Sequence, residues 1–317
     1  SNTSEIYKAK AISTQDMVIL GVALMGVVLP LLAATRLLHG SGSPDRQRSH
    51  AVHQRRPLLG LPLIATWMLM GIIIGLGVLL PLVIMVDWVS MGMANPEIQF
   101  KSILEPTSVT LQTTAVGALV VVLLAAAPAW ISARRGGKTG ALVEAAVYLT
   151  SSLPGILIGV GILHLLQLKA QLPGSAAIWE GLQSAGVFLM LAYGMRFLSQ
   201  AYAALKPAML TIEQSQEEAA QLLGASPWRR LRTLILPAIG PGTAAAYTLV
   251  FLSIAKELPI TMLLLSDRRT LSFRIFDSSE EAVLYNAGLA GLVLLALAIA
   301  LQVLLIRWRN QSVPARH

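Results

Sequence analysis

Long apolar runs alternate with short polar stretches along the chain, and the polar stretches carry nearly all the charge. The apolar runs are Met17 to Leu38, Leu58 to Val86, Leu111 to Ala133, Ala141 to Leu168, Gly181 to Leu205, Pro241 to Leu265 and Ala282 to Ile306. Each approaches or exceeds the ~20 residues a bilayer demands, so the pattern predicts an all-α, polytopic membrane protein of about seven spans. The basic residues fall on alternate sides. Arg46, Arg48, Arg55 and Arg56 lie in the linker Gly40 to Pro57; Arg134, Arg135 and Lys138 follow the third run; Arg307 and Arg309 follow the last. Lys- and Arg-rich loops stay in the cytoplasm, which puts Ser1 to Asp16 and the acidic stretch Asp87 to Thr110 outside.

Two runs are interrupted. Within Ala141 to Leu168, Ser151-Ser152-Leu153-Pro154-Gly155 predicts a kink, since Pro154 removes one helical hydrogen bond. Within Pro241 to Leu265, Lys256-Glu257 stands just before Pro259. Charges at that depth cost about 2.5 to 3.5 kcal/mol each and usually face a bundle interior or water. Gly71, Gly75 and Gly77 offer a smooth face for helix packing, and Arg196 is expected to snorkel to the headgroups from the inner end of its span.

One polar island, Thr211 to Pro237, lies between spans on the basic side. Thr211 and Gln214 have capping-box spacing, which predicts a helix from Ile212 that Gly224 ends. Ser226 then caps a second helix with Pro227 in its first turn, and Pro237 closes the unit. So short a pair cannot bury Ala219, Leu222, Leu223, Trp228 and Leu231 by itself, and it needs a partner surface.

The chain has 317 residues, 55% hydrophobic and 13% charged, against roughly a quarter charged in soluble domains, which excludes a soluble protein. The formal net charge of +8 follows membrane topology and gives no reason to invoke nucleic acid. There is no cysteine, hence no disulfide, thiolate metal site or thiol nucleophile. Gly137-Lys138-Thr139 imitates the end of a phosphate-binding loop, but Ser132 stands where that motif needs Gly and both flanks are spans. His50 and His53 sit in the basic linker without further ligands, and His164 is alone, so no metal site is predicted.

Glu218-Ala219-Ala220, Gly224, Leu234, Leu236 and Pro237 resemble the EAA motif, E-A-A-x3-G-x9-I-x-L-P, of binding-protein-dependent ABC importer permeases, with Leu234 in place of Ile. That exchange conserves volume. The plainer alternative, a solvated charged face at Glu217 and Glu218, is weakened by the spacing to Gly224 and Pro237. Lys256-Glu257-Leu258-Pro259, Leu153-Pro154-Gly155 and Thr270-Leu271-Ser272 are similar to signatures of the ferric iron permeases within that family.

The resemblance implies a type I permease bundle of six helices, here preceded by one further transmembrane helix, in a prokaryotic cytoplasmic (inner) membrane. It divides the chain into 1–57, the remnant of a preceding half; 58–310, the six-helix permease; and 311–317, a cytoplasmic tail. The chain is then expected to be the second half of a fused two-half permease. The resemblance further implies docking of the EAA loop on a separate ATPase, with two ATP-binding subunits, a periplasmic or lipid-anchored solute-binding protein, and a second permease half or copy as partners. ATP is used by the partner, and no cofactor is expected on this chain. Ferric iron would call for hard oxygen donors, for which Glu257, Tyr193 and Tyr247 are candidates. Pro154, Tyr193, Tyr247, Lys256, Glu257 and Pro259 are the candidate pathway or gate residues. Thiamine, phosphonate and polyamine permeases of the same class remain open, as does a secondary transporter driven by an ion gradient. A membrane protein without transport is disfavoured by the EAA loop.

Overall fold

The structure is a computed structural model that describes residues 61–93, 103–167, 181, 183, 186–265 and 270–312. The predicted first span and the remnant 1–57 lie outside the described residues. Among the described residues all regular structure is helical, in two units, Ser1–Pro96 and Glu97–His317.

In the first unit, α1 (Leu61–Ile74) and α2 (Leu80–Met93) join through a π-helical segment, Gly75–Leu79. Gly75 and Gly77 tolerate the widened turn because glycine imposes no side-chain constraint there. An added Cβ on Gly71, Gly75 or Gly77 meets nothing within 4 Å, so no close packing within this unit requires glycine there. Most of the described apolar side chains of this segment are exposed, Trp67 and Val83 among them.

The second unit is built on three helices. They are α3 (Leu104–Arg134), α6 (Val187–Leu210) and α9 (Leu236–Ala255), each packed against the other two. Ala118, Ala125 and Ala129 of α3, Ala192 and Ala201 of α6, and Ala246 of α9 are fully buried between them. Small residues let backbones approach where lipid provides no hydrophobic drive for helices to associate. Tyr193, Tyr202 and Leu205 of α6 fill the remaining space. This central position explains why α6, at 24 residues, is long enough to cross a bilayer yet is less apolar than its neighbours: its Gln200 bonds Ser253 at 2.7 Å and its Lys206 pairs with Glu144 at 2.9 Å. Four described helices meet both length and apolarity for a span, Thr66–Met93, Leu104–Arg134, Pro227–Ala255 and Leu284–Arg307, or five with the bent pair below.

The interruption at Pro154 is sharper than a kink. α4 (Gly137–Ser151) and α5 (Gly155–Gln167) meet at 89°. The carbonyls released there are met by Arg196 on α6, whose guanidinium donates to Leu153 O at 2.9 Å and Ser151 O at 3.4 Å. Arg196 therefore does not snorkel to headgroups. It serves the broken helix, supplying donors to carbonyls that have no helical partner, while its half-buried position leaves the charge partly solvated.

The predicted span to Leu265 also divides. α9 stops at Ala255, and α10 (Pro259–Leu264) restarts after Lys256-Glu257-Leu258, so these charges sit in a break and not in a continuous helix. At the other end the helix does not close at Pro237. From α8 (Pro227–Arg230) it continues through a π-helical segment, Leu231–Ile235, into α9, with Leu236 helical at φ −57°. An α-turn would drive the Pro237 ring into a carbonyl of the preceding turn, and the π-turn widens the helix at that point. Before the last helix, α12 (Leu284–Ser312), lies an additional helix, α11 (Leu271–Glu280), which the apolar pattern does not signal because it is short and polar.

Replacing Arg196 by Met is expected to cost about 1–3 kcal/mol by leaving two carbonyls unpaired. In detergent this reads as a lowered unfolding temperature, with Arg196→Lys intermediate; an unchanged transition in Arg196→Met would contradict the assignment.

Candidate functional site

The island Thr211 to Pro237 folds as two helices around a turn. α7 (Gln214–Leu222) begins two residues later than the capping-box spacing implies, because Thr211 Oγ1 donates to Ala208 O at 2.7 Å and extends α6 instead. Ile212, freed from the helix, is buried against the bundle. Gly224 takes φ +77°, with its N–H to Gln221 O at 2.9 Å and the N–H of Ala225 to Ala220 O at 3.0 Å. That is a Schellman close, in which the left-handed residue is normally glycine. Ser226 Oγ then accepts from Arg229 N at 3.3 Å to start α8, with Pro227 in its first turn.

This fold leaves apolar side chains unburied. Leu222 is 89% exposed, Leu223 88% and Trp228 66%. Their surroundings on α7 and α8 are polar and charged, so this is not a lipid-facing stripe of a span. Contiguous large apolar side chains in such a setting mark an interaction surface. Ala219 and Glu218 are exposed beside them and Ala220 is half-buried; Leu231 and Leu234 are half-buried, with Leu231 packed on the bundle core, and Leu236 and Pro237 are exposed. Underneath, Arg134 at the end of α3 ties the loop down. Its guanidinium donates to Ile212 O at 2.8 Å and to Glu217 Oε1, and it lies 4.7 Å from the Trp130 ring centre.

The second cluster lies where the two breaks meet. An added Cβ on Gly155 would stand 2.8 Å from Glu257 Oε1, so the α4–α5 corner abuts the α9–α10 break. Glu257 Oε1 accepts from Ile260 N at 3.4 Å, and its carbonyl accepts from Thr261 Oγ1 at 2.9 Å and Ser272 Oγ at 3.2 Å. Thr261 also bonds the Tyr193 hydroxyl at 2.8 Å, and Leu271 N donates to Thr110 Oγ1 of α3 at 2.8 Å. The three short signatures around Pro154, Glu257 and Thr270 thus come together in space.

Of the candidate pathway residues, Pro154, Glu257 and Tyr193 border this junction, while Pro259 is exposed at the start of α10 and Lys256 is exposed at the end of α9. Tyr247 turns elsewhere, its hydroxyl donating to Ala115 O at 3.4 Å. Tyr193 is 1% exposed. Glu257, Tyr193 and Tyr247 do not converge as a ligand set, and among the described residues there is no group of three or more His, Asp or Glu able to hold a metal ion. His50 and His53 lie outside the described residues; His164 Nδ1 is 3.3 Å from Val160 O of its own helix.

Residues 122–313 match the profile of the family described as the binding-protein-dependent transport system inner membrane component, over more than half of the chain. The chain belongs to that family. It is therefore a membrane-embedded transport component and not an enzyme. Among relatives, it is 29% identical over 237 residues to the Fe(3+)-transport system permease protein FbpB 2 of Haemophilus influenzae, covering 74% of this chain and 44% of that one. It is 26% identical over 181 residues to the putative 2-aminoethylphosphonate transport system permease protein PhnV of Salmonella choleraesuis, covering 56% and 65%. The chain thus spans less than two thirds of the length of these relatives. A crystal structure of a bacterial alginate ABC transporter, in complex with a periplasmic protein bound to alginate pentasaccharide, contains a chain of similar fold. The TM-score is 0.55 at 16% identity, over 77% of this chain and 92% of that one.

Three residues at these sites escape sequence reasoning. Arg134 is hidden among the basic residues that topology alone explains, and Thr110 and Thr261 are ordinary hydroxyls until the break places backbone groups beside them.

At Gly224 an added Cβ meets nothing within 4 Å, so a side chain there is strained only through φ. Gly224→Val is expected to destabilise the turn by about 1–2 kcal/mol, and Gly224→Asn by less. Hydrogen exchange at the Gly224 and Ala225 positions measures this; equal protection in both variants would contradict it.

Proposed function

We propose that the chain is the permease subunit of an ATP-driven importer and that the face made by Leu222, Leu223 and Trp228 docks on a separate ATPase subunit. The observation that carries this is the exposure of those three side chains on a folded, capped, polar loop. Water-exposed leucines at nearly full accessibility gain about 1.5–3 kcal/mol each on burial, which an apolar groove of a partner supplies.

The mechanism follows from continuity of the helix. Trp228 sits at the start of an unbroken helix, Pro227–Ala255, that ends beside the Glu257 junction. At 1.5 Å per residue its 29 residues reach about 40 Å, the thickness of a bilayer with its headgroups. A push on the loop when two ATPase subunits close on ATP therefore tilts a rod whose far end borders two broken helices. Such breaks absorb motion and line the substrate path in other transport proteins. Pro154, Tyr193, Lys256, Glu257 and Pro259 form the pathway or gate in this account. Glu218, Ala219, Ala220, Gly224, Leu234, Leu236 and Pro237 build the docking loop and its exit into the membrane, and none performs chemistry. ATP hydrolysis takes place in the partner, and a solute-binding protein outside delivers the substrate to a permease completed by a second half or copy.

For the substrate we favour ferric iron, as cargo and not as a resident metal, because the relative named for Fe(3+) transport aligns over most of this chain. A phosphonate is the alternative, supported by the shorter match to PhnV.

Two outcomes are expected. Leu222→Ser with Leu223→Ser abolishes co-purification of the ATPase subunit while the unfolding temperature of the permease is unchanged; retained co-purification would contradict the docking face. Uptake of radiolabelled ferric iron by cells carrying the complete system is blocked by vanadate and survives a protonophore. The reverse pattern would indicate an ion-gradient transporter, and uptake of 2-aminoethylphosphonate in place of iron would reassign the substrate.

A further inference from the structure

Glu217 and Glu218 are adjacent on α7 but differ in environment. The Glu217 side chain is 17% exposed and points into the bundle at Arg134, whose own side chain is 18% exposed. Glu218 is exposed on the side of Leu222 and Leu223. Arg134 is the last residue of α3, and it makes its other hydrogen bond to Ile212 O, in the turn where α6 gives way to α7. Trp130, one turn earlier on α3, stacks on the guanidinium and fixes its plane. One side chain thus joins the end of α3 to both the entry turn and the first helix of the loop. The loop is otherwise continuous with α6 and with the rod Pro227–Ala255, and it packs on the core through Ile212 and Leu231, so Arg134 adds the polar tie to the end of α3.

We infer that the Arg134–Glu217 pair is a latch that makes α3 move with the docking loop, and that Arg134 and Glu217 are positioning residues for energy coupling, distinct from the docking residues themselves. A mostly buried ion pair suits this. It contributes little net stability compared with an apolar pair, yet removing one partner leaves a charge uncompensated, so it fixes geometry more than it stabilises. The bifurcated grip on a backbone carbonyl and a carboxylate requires the planar fork of arginine, which lysine does not reproduce. The inner ends of the neighbouring helices are cross-linked similarly, by Lys206 with Glu144 at 2.9 Å and by the Tyr202 hydroxyl donating to Ser132 of α3 at 2.7 Å, so α3, α4 and α6 respond as a block. The part of this inference that concerns coupling rests on the importer reading above; the part that concerns the latch does not.

The natural absence of cysteine allows spin labels to be placed directly, at Gln216→Cys on α7 and Lys138→Cys beyond α3, in the full chain in lipid nanodiscs. A narrow distance distribution is expected with the latch intact. Glu217→Gln and Arg134→Gln should each broaden it, Arg134→Gln more because the bond to Ile212 O is lost too, the double variant no further than Arg134→Gln alone, and Arg134→Lys partly. Unchanged distributions in the singles, or additive broadening in the double, would overturn the latch. With the ATPase and binding protein in proteoliposomes, Glu217→Gln should lower substrate moved per ATP hydrolysed by about fivefold or more while the ATPase subunit still co-purifies. Broadened distances with an unaltered ratio would overturn the coupling role. If the unmodified chain moves no substrate with these partners, the importer reading fails, and the distance measurement alone decides whether the loop is latched to α3.

Discussion

In hydrocarbon every backbone N–H and C=O needs a partner inside the protein, and the second unit of this chain is arranged around meeting that demand at places where helices stop. At the Pro154 corner Arg196 answers the free carbonyls. At the Glu257 break the work is divided between Thr261 and Ser272, with Thr110 answering the first amide of α11. At Pro237 no donor is needed, because a π-turn relieves the proline within a continuous helix. At both breaks part of the answer comes from a side chain on another helix, Arg196 at one and Ser272 at the other, so those bonds hold only while the bundle is assembled.

This dependence links the two ends of the molecule. The core of α3, α6 and α9 is made of alanines and a few large side chains in close contact, and such a core transmits displacement with little compliance. At one end it presents a capped loop whose leucines and tryptophan are not covered. Within the membrane it presents two broken helices in contact. A structure that needed only stability would bury the leucines and avoid the breaks. Retaining both fits the proposed role of converting a push on the loop into a change of packing.

The sequence displays the strongest of these features openly. Apolar runs and the sorting of Arg and Lys give the helical membrane class, and the spacing from Glu218 to Pro237 leads to the family that residues 122–313 match. Gly224 and Ser226 behave as local chemistry dictates, since a left-handed turn and an N-cap depend on a few adjacent residues. What was not legible depends on tertiary neighbours. Pro237 looks like a terminator until the π-turn is seen, Pro154 looks like a kink until the corner proves to be 89°, and Arg196 looks like a headgroup anchor until Leu153 O is found beside it. The position of α6 inside the bundle is likewise invisible in composition, because a central helix may carry polar residues that a lipid-facing one may not.

The central claim is that Thr211 to Pro237 is a docking loop whose uncovered apolar face meets an ATPase. Since the chain lacks cysteine, single cysteines at Leu223, Trp228 and, as a control on a lipid-facing surface, Leu123 can be cross-linked in native membranes with a short thiol-reactive photoprobe. The account predicts adducts with an ATP-binding subunit from positions 223 and 228, altered by trapping with ATP and vanadate, and none from 123. Adducts from 123 alone, or only lipid adducts from 223 and 228, would contradict it.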